Sequence, residues 1–184
     1  MKTKLIEENI KYEGWQLSSH WIYKNFKIQG DATVAFIGEC EVKLTEMVDI
    51  EDVINNEPIY SKNMLSFISE QFNVGLVEGV FRQRLLICII KEALEKRGFK
   101  VRRNGDDLFV NNKKLTVSIA TKSLTSILIH TGINIDSTGA PIAACGLSND
   151  LGITDIEGFA KEVLTNYSEE INDIIMASTK VRGV

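Results

Sequence analysis

The run Arg102-Arg103-Asn104-Gly105-Asp106-Asp107-Leu108-Phe109-Val110-Asn111-Asn112-Lys113-Lys114-Leu115-Thr116-Val117-Ser118-Ile119-Ala120-Thr121 leads, after a short gap, into Ser126-Ile127-Leu128-Ile129-His130-Thr131-Gly132-Ile133-Asn134-Ile135-Asp136. Apolar residues recur here every second position, the period of a strand. The pattern predicts strands over 99–103, 107–110, 113–121 and 126–136. Asn111-Asn112 and Lys122-Ser123-Leu124 are connections too short for parallel crossovers, so these strands are read as antiparallel hairpins.

On either side of this block the period lengthens to that of a helix. Between Val77 and Arg97, the residues Val80, Phe81, Leu85, Cys88, Ile89 and Ala93 share one face, and Gly98 supplies a C-terminal stop. A second helix is expected from Thr154, which is read as a capping-box partner of Glu157. Ahead of it runs the stripe Ile156, Ala160, Val163, Leu164, Tyr167, Ile171 and Ile174. Nearer the start, Ala32 to Ile37 reads as a strand between Gly30-Asp31 and Gly38. Helices around meandering strands make the expected fold class α+β, a mixed and largely antiparallel sheet packed by helices.

A chain of 184 residues with 44% hydrophobic and 25% charged residues is sized and composed for one domain, taken as residues 1–184, with a packed core. The net charge of −4 argues against a general grip on nucleic acid, which needs many cations on phosphate. The longest apolar run, Leu85 to Ile90, has six residues against the roughly 20 of a membrane span. With charge near Met1 where a secretion signal would be apolar, a cytoplasmic location is expected. Cys40, Cys88 and Cys145 lack metal-type spacing and are read as buried, reduced thiols.

Alternation places Leu115, Val117 and Ile119 on one face of the third strand and Lys114, Thr116, Ser118 and Ala120 on the other. In the next strand Ile127, Ile129, Ile133 and Ile135 oppose His130, Gly132, Asn134 and Asp136. Paired as a hairpin, these strands are expected to gather Lys114, Thr116, Ser118, His130 and Asn134 on one surface. A cation, hydroxyls, an imidazole and an amide are the parts that hold a carboxylate-bearing or other anionic ligand. Gly132 among them would let a ligand approach the backbone. Such a face can equally be the solvated side of an antiparallel sheet.

At the preceding turn, Arg102, Arg103 and Asn104 meet Asp106 and Asp107 around Gly105. Paired carboxylates can hold magnesium while arginines face phosphates, and a polar hairpin with compensated charges explains the same residues. His20, among Trp15, Trp21 and Tyr23, is read as structural. Glu46, Asp49 and Asp52 are read as a charged surface turn before a short helix rather than a cation site.

Asp106-Asp107-Leu108 through Lys113-Lys114-Leu115, followed by His130-Thr131-Gly132-Ile133-Asn134, resembles the central segment of biotin–protein and lipoate–protein ligases. There a W-P-N-D-L-type turn, a K-L strand and a G-I-N-type strand come in this order. Over most of its length the chain is also similar to an uncharacterised prokaryotic family, domain of unknown function 366, through Gly30-Asp31, Met47 to Val53, Gln83-Arg84-Leu85 and Lys113 to Thr121. The resemblance implies a ligase-like fold. It places Arg103 at a lysine of the biotin ligases and Lys114 at the lipoate ligases' acyl-adenylate lysine, both as catalytic positions stabilising developing negative charge. Asn104, Asp106, Asp107, Thr116, Ser118, His130, Gly132 and Asn134 then form the ligand-binding set, with no metal ligand assigned.

Two departures stand out. Thr116-Val117 replaces the ligases' small Ser-Gly or Ala-Gly pair, and Gly30-Asp31-Ala32-Thr33 lacks the arginine of their glycine-rich motif. The expectation is a pocket for a small carboxylate or nucleotide-like ligand with adenylate-forming or acyl-transfer chemistry. ATP with magnesium as cofactor and a homodimer are left open. The rival reading is a non-catalytic binding or scaffold protein that kept the fold.

Overall fold

In the computed structural model, which describes all residues but 141, strands and helices alternate as β1 (Lys2–Leu5), α1 (Trp21–Phe26), β2 (Ala32–Val42), α2 (Ile50–Asn55), β3 (Ile59–Phe72), α3 (Leu76–Glu95), β4 (Val101–Asn104), β5 (Asp107–Val110), β6 (Lys113–Lys114), β7 (Thr116–Lys122), β8 (Ser126–Asp136) and α4 (Ile156–Thr179). Five strands form one sheet in the order β1-β2-β3-β8-β7, and β4-β5-β6 form a smaller one. Only β1 runs parallel to its neighbour, so the sheet is mixed and largely antiparallel, as the α+β reading expects.

The large sheet is covered on both faces. On one, Ala35, Leu65, Phe67 and Ile133 meet Leu86, Ile90 and Leu94 of α3 and Phe159, Val163 and Tyr167 of α4 in the main core. On the other, Val34, Phe36, Met64, Ile68 and Leu128 pack on Tyr12, Leu17, Trp21 and Ile22 of the N-terminal segment and α1. Both faces of β8 are therefore covered, and ten of its eleven residues are buried.

Three expectations change. The strand over 113–121 is two strands: Lys114 in β6 pairs with Phe109, and β7 begins at Thr116 in the other sheet. The alternation phase resets at Leu115, which joins the helix-side core. In β7, Val117 faces Gly132 and Ile119 faces His130 across the ladder, whereas Thr116 faces Ile133 and Ser118 faces Thr131. Opposed residues share a face, so Thr116 and Ser118 lie on the helix side and Val117 and Ile119 share the surface of His130, the reverse of the hairpin drawn from periodicity. Third, α4 is capped by Asp155, whose Oδ1 accepts from the Gly158 amide at 2.8 Å, rather than by Thr154. The central strand, β3, was not foreseen, since it has no clean alternation to announce it: Ser61, Ser66, Ser69, Glu70 and Gln71 are all buried within it.

The turn chemistry follows the sequence more directly. Asn111 and Asn112 adopt φ of 51° and 63°, the pair of positive angles that a two-residue hairpin between β5 and β6 requires. Cys40 and Cys145 are buried, Cys88 is half-buried and all three are free. Among the described residues, no helix is long and apolar enough to cross a membrane.

Candidate functional site

A cavity of about 480 Å³ opens on the face of the sheet away from α3 and α4. Its apolar walls come from Leu17, Val42, Met64, Val117 and Ile119, and Tyr12, His130 and Asn134 add neutral polar groups. These three are buried, with exposures of 3%, 3% and 9%, so they form the floor. The mouth is formed by the segment from Glu46 to Tyr60, which includes α2, and by the β4–β5 turn. Asp49 caps α2 by accepting from the Glu51 amide at 2.9 Å, which turns the following acidic residues over the opening.

The floor is built by stacking. The Tyr12 ring lies on that of His130 with centroids 3.8 Å apart and planes 13° from parallel. His130 Nε2 reaches Ser66 Oγ at 3.3 Å. Burial disfavours the charged imidazole and pushes its pKa down to about 3, so His130 is neutral at physiological pH. Burial likewise pushes the Tyr12 phenol up, which keeps its proton in place as a donor. Among the described residues neither the Tyr12 hydroxyl nor the Asn134 side-chain amide has a hydrogen-bond partner, although both residues line the cavity. Both groups are open to the cavity and free to meet a ligand there, whereas the fully buried side-chain polar atom without a partner among the described residues is Trp21 Nε1, in the core on this side of the sheet.

Lys114 lines the cavity and its Nζ sits 2.9 Å from Asp107 Oδ1. Asp106 is held from behind by α3: Gln83 Nε2 donates to Asp106 Oδ2 at 2.8 Å and to Ser118 Oγ at 3.0 Å, while Arg84 Nη1 lies 3.2 Å from Asp106 Oδ1. Ser118 Oγ also meets Thr131 Oγ1 at 2.8 Å, and Thr116 Oγ1 accepts from the Leu108 amide at 2.9 Å. Thr116 and Ser118 border the cavity from the edge strand, but their hydroxyls are already used by the protein.

The expected residues therefore separate. Lys114, Thr116, Ser118, His130, Asn134, Asp106 and Asp107 all line one cavity, from both sides of β7 rather than from a single face. Arg103 and Asn104 do not: both are exposed, and the Arg103 guanidinium donates to the Gly105 carbonyl at 2.5 Å. Gly132 lies beneath the cavity, where a Cβ would fall 2.2 Å from Met64 Sδ, so its missing side chain admits Met64 and not a ligand. Tyr12 was not legible as a site residue, because it lies far from the hairpin in sequence. Glu46, Asp49 and Asp52, read from the sequence as a charged surface turn, also line this cavity.

Seven carboxylates line the cavity, Glu46, Asp49, Glu51, Asp52, Glu57, Asp106 and Asp107, against one cation, Lys114. Burial, and then neighbouring Asp49, hold the Asp52 carboxyl above its usual range. Among the described residues no three metal-ligating side chains converge as a cation site would need. With Arg103 bonded to the Gly105 carbonyl and Lys114 engaged by Asp107, this lining does not fit a nucleoside triphosphate, whose phosphates need free cations.

Residues 1–182 match the family described as Domain of unknown function (DUF366). The chain belongs to this family. It is 38% identical over 180 residues to the uncharacterized protein MJ0805 of Methanocaldococcus jannaschii, covering 95% of this chain and 81% of the relative. A protein of unknown function from Pyrococcus horikoshi superposes with a TM-score of 0.94 at 40% identity, covering 100% of this chain and 99% of the other. More distantly, the biotin protein ligase of Aquifex aeolicus in complex with biotin and ATP gives a TM-score of 0.58 at 15% identity, over 93% of this chain and 70% of the ligase. A lipoate–protein ligase shares the fold as well. The DUF366 chain thus has a biotin/lipoate-ligase-like fold, and at these identities the likeness extends to the fold alone.

Proposed function

We propose that the cavity binds a small organic molecule with an apolar body, in a protein that keeps the ligase architecture without forming an adenylate. The observation that carries this reading is the pair of unpartnered polar groups, Tyr12 and Asn134, on the floor of an otherwise apolar cavity. Both groups stay accessible from the cavity, so a ligand can pair with them in place of solvent while it covers Met64, Val117 and Ile119. The adenylate-forming reading asks for ATP at this site, and seven carboxylates around one engaged lysine oppose it. A cytoplasmic location belongs to the same proposal, since three free cysteines suit a reducing compartment.

The test is a melting screen with apolar-bodied carboxylates, amides and amines, with and without ATP and magnesium, alongside an assay for released pyrophosphate. A ligand at 100 times its Kd should add about 2.7 kcal/mol of stability. The expected result is stabilisation that does not depend on ATP, with no pyrophosphate formed. Pyrophosphate release that Lys114→Met abolishes would overturn the proposal in favour of acyl-adenylate chemistry on a small carboxylate.

A further inference from the structure

The charge around the cavity mouth says more about the ligand than its volume does. Glu46, Glu51 and Glu57 are exposed and Asp49, Asp52, Asp106 and Asp107 half-buried, so the carboxylates ring the opening while the floor is neutral. They come from separate segments, and among the described residues no three of them focus on a point. That arrangement suits a diffuse organic cation better than a bare metal ion. The one competing cation, Lys114, is compensated by Asp107 at 2.9 Å. A partly enclosed mouth of one sign concentrates ligands of the opposite sign. The floor supplies a second, independent requirement, a neutral hydrogen-bonding group to meet Tyr12 and Asn134, which are buried and unpartnered among the described residues.

Resting on the reading of this cavity as a ligand site, we infer that its ligand carries a protonated amine at the acidic mouth, joined by an apolar chain to a neutral amide or hydroxyl group that meets Tyr12 and Asn134. The chain lies along Leu17, Val42, Met64, Val117 and Ile119. Asp52 stands to gain most from such a partner. Burial and the neighbouring Asp49 already disfavour its charge, and Lys114 is the cation that opposes this. An ammonium at the mouth would relieve the crowding among these carboxylates.

Calorimetric titration of the full chain with three probes of one length decides this: N-acetyl-1,5-diaminopentane, 6-acetamidohexanoate and N-pentylacetamide. The amine should bind about tenfold or more tighter than the acid, the discrimination that one charge-assisted hydrogen bond supplies. Added salt should erode that preference. Asp49→Asn combined with Asp52→Asn should weaken the amine about tenfold and leave the neutral probe unchanged, with melting curves confirming the fold. Asn134→Leu should weaken all three probes.

Equal or tighter binding of the acid, or an amine affinity indifferent to both aspartates, overturns the amine assignment while the cavity reading stands. If none of the three binds at millimolar concentration, both fall.

Discussion

The two faces of the central sheet differ in what some of their polar groups are left to meet. Toward α3 and α4, buried polar side chains are tied to one another: Thr33 to Ser69 at 2.8 Å, Gln71 to Ser69 at 2.9 Å and to Tyr167 at 3.0 Å, and Ser118 through Gln83 to Asp106. On the cavity face His130 meets Ser66 at 3.3 Å and Ser126 donates to Glu70 at 2.7 Å, but Tyr12 and Asn134 line the void with no side-chain partner among the described residues. The satisfied face has the character of structure, since each bond repays the desolvation of its own groups. On the cavity face two polar groups are left open to the void, which suits a surface shaped for another molecule.

The sharpest way to break this comparison is to injure each face of β8 separately. Ile133, fully buried on the helix face, should cost about 2–5 kcal/mol on truncation to Ala through lost burial and the cavity left behind. Its neighbour Asn134, replaced by Leu, should leave stability nearly unchanged or raised, because the amide it loses is unpaired. Denaturant unfolding of both variants checks this, and a large loss in Asn134→Leu would mean that its amide is structural.

A second effect, of similar size in total but spread over several pH units, comes from acid. His130 has its pKa pushed down to about 3, below the ordinary value of about 6.5 that it regains when unfolded. Below about pH 6.5 the unfolded chain takes up a proton that the folded chain refuses. Stability should therefore fall by about 1.4 kcal/mol per pH unit from this residue between about pH 6.5 and 3. His130→Gln should cost stability at neutral pH, where the stack on Tyr12 is lost, and should remove that slope. An unaltered slope in the variant would place the acid sensitivity elsewhere.

The smallest expected effect tests the helix side at its polar link. Gln83→Leu leaves Ser118 and Asp106 without their shared donor and should cost about 1–3 kcal/mol. It should also loosen the β4–β5 turn that carries Asp106 and Asp107. A loss much below that range would mean that water or Arg84 replaces the amide.

Where the local chemistry was strong, it was readable one residue at a time. The asparagine pair at 111–112 specified its hairpin, because few residues tolerate two positive φ angles in succession. Gly98 ended α3 in the left-handed region, and the isoleucine series of β8 named its core face. The site was legible only in its residue types. Lys114, His130 and Asn134 do line one cavity, yet Val117 and Ile119, read as core facing away from them, share that wall, while Arg103, expected beside Lys114, points outward. Periodicity carries phase along a strand but not across the break at Leu115, and a turn's charges do not reveal which way they face.

By itself the sequence determined the α+β class, the helices around 76–95 and 156–179, the antiparallel hairpins and the membership in DUF366, because each rests on local propensity, spacing or similarity along the chain. Only the tertiary structure decided that β3 is the central strand, that β8 is buried on both faces, and that Tyr12 and the acidic segment before β3 close over the hairpin into one cavity. Those outcomes depend on contacts between segments distant in the chain, such as Tyr12 on His130. There the burial of one element is set by what another element brings to it, which no local pattern encodes.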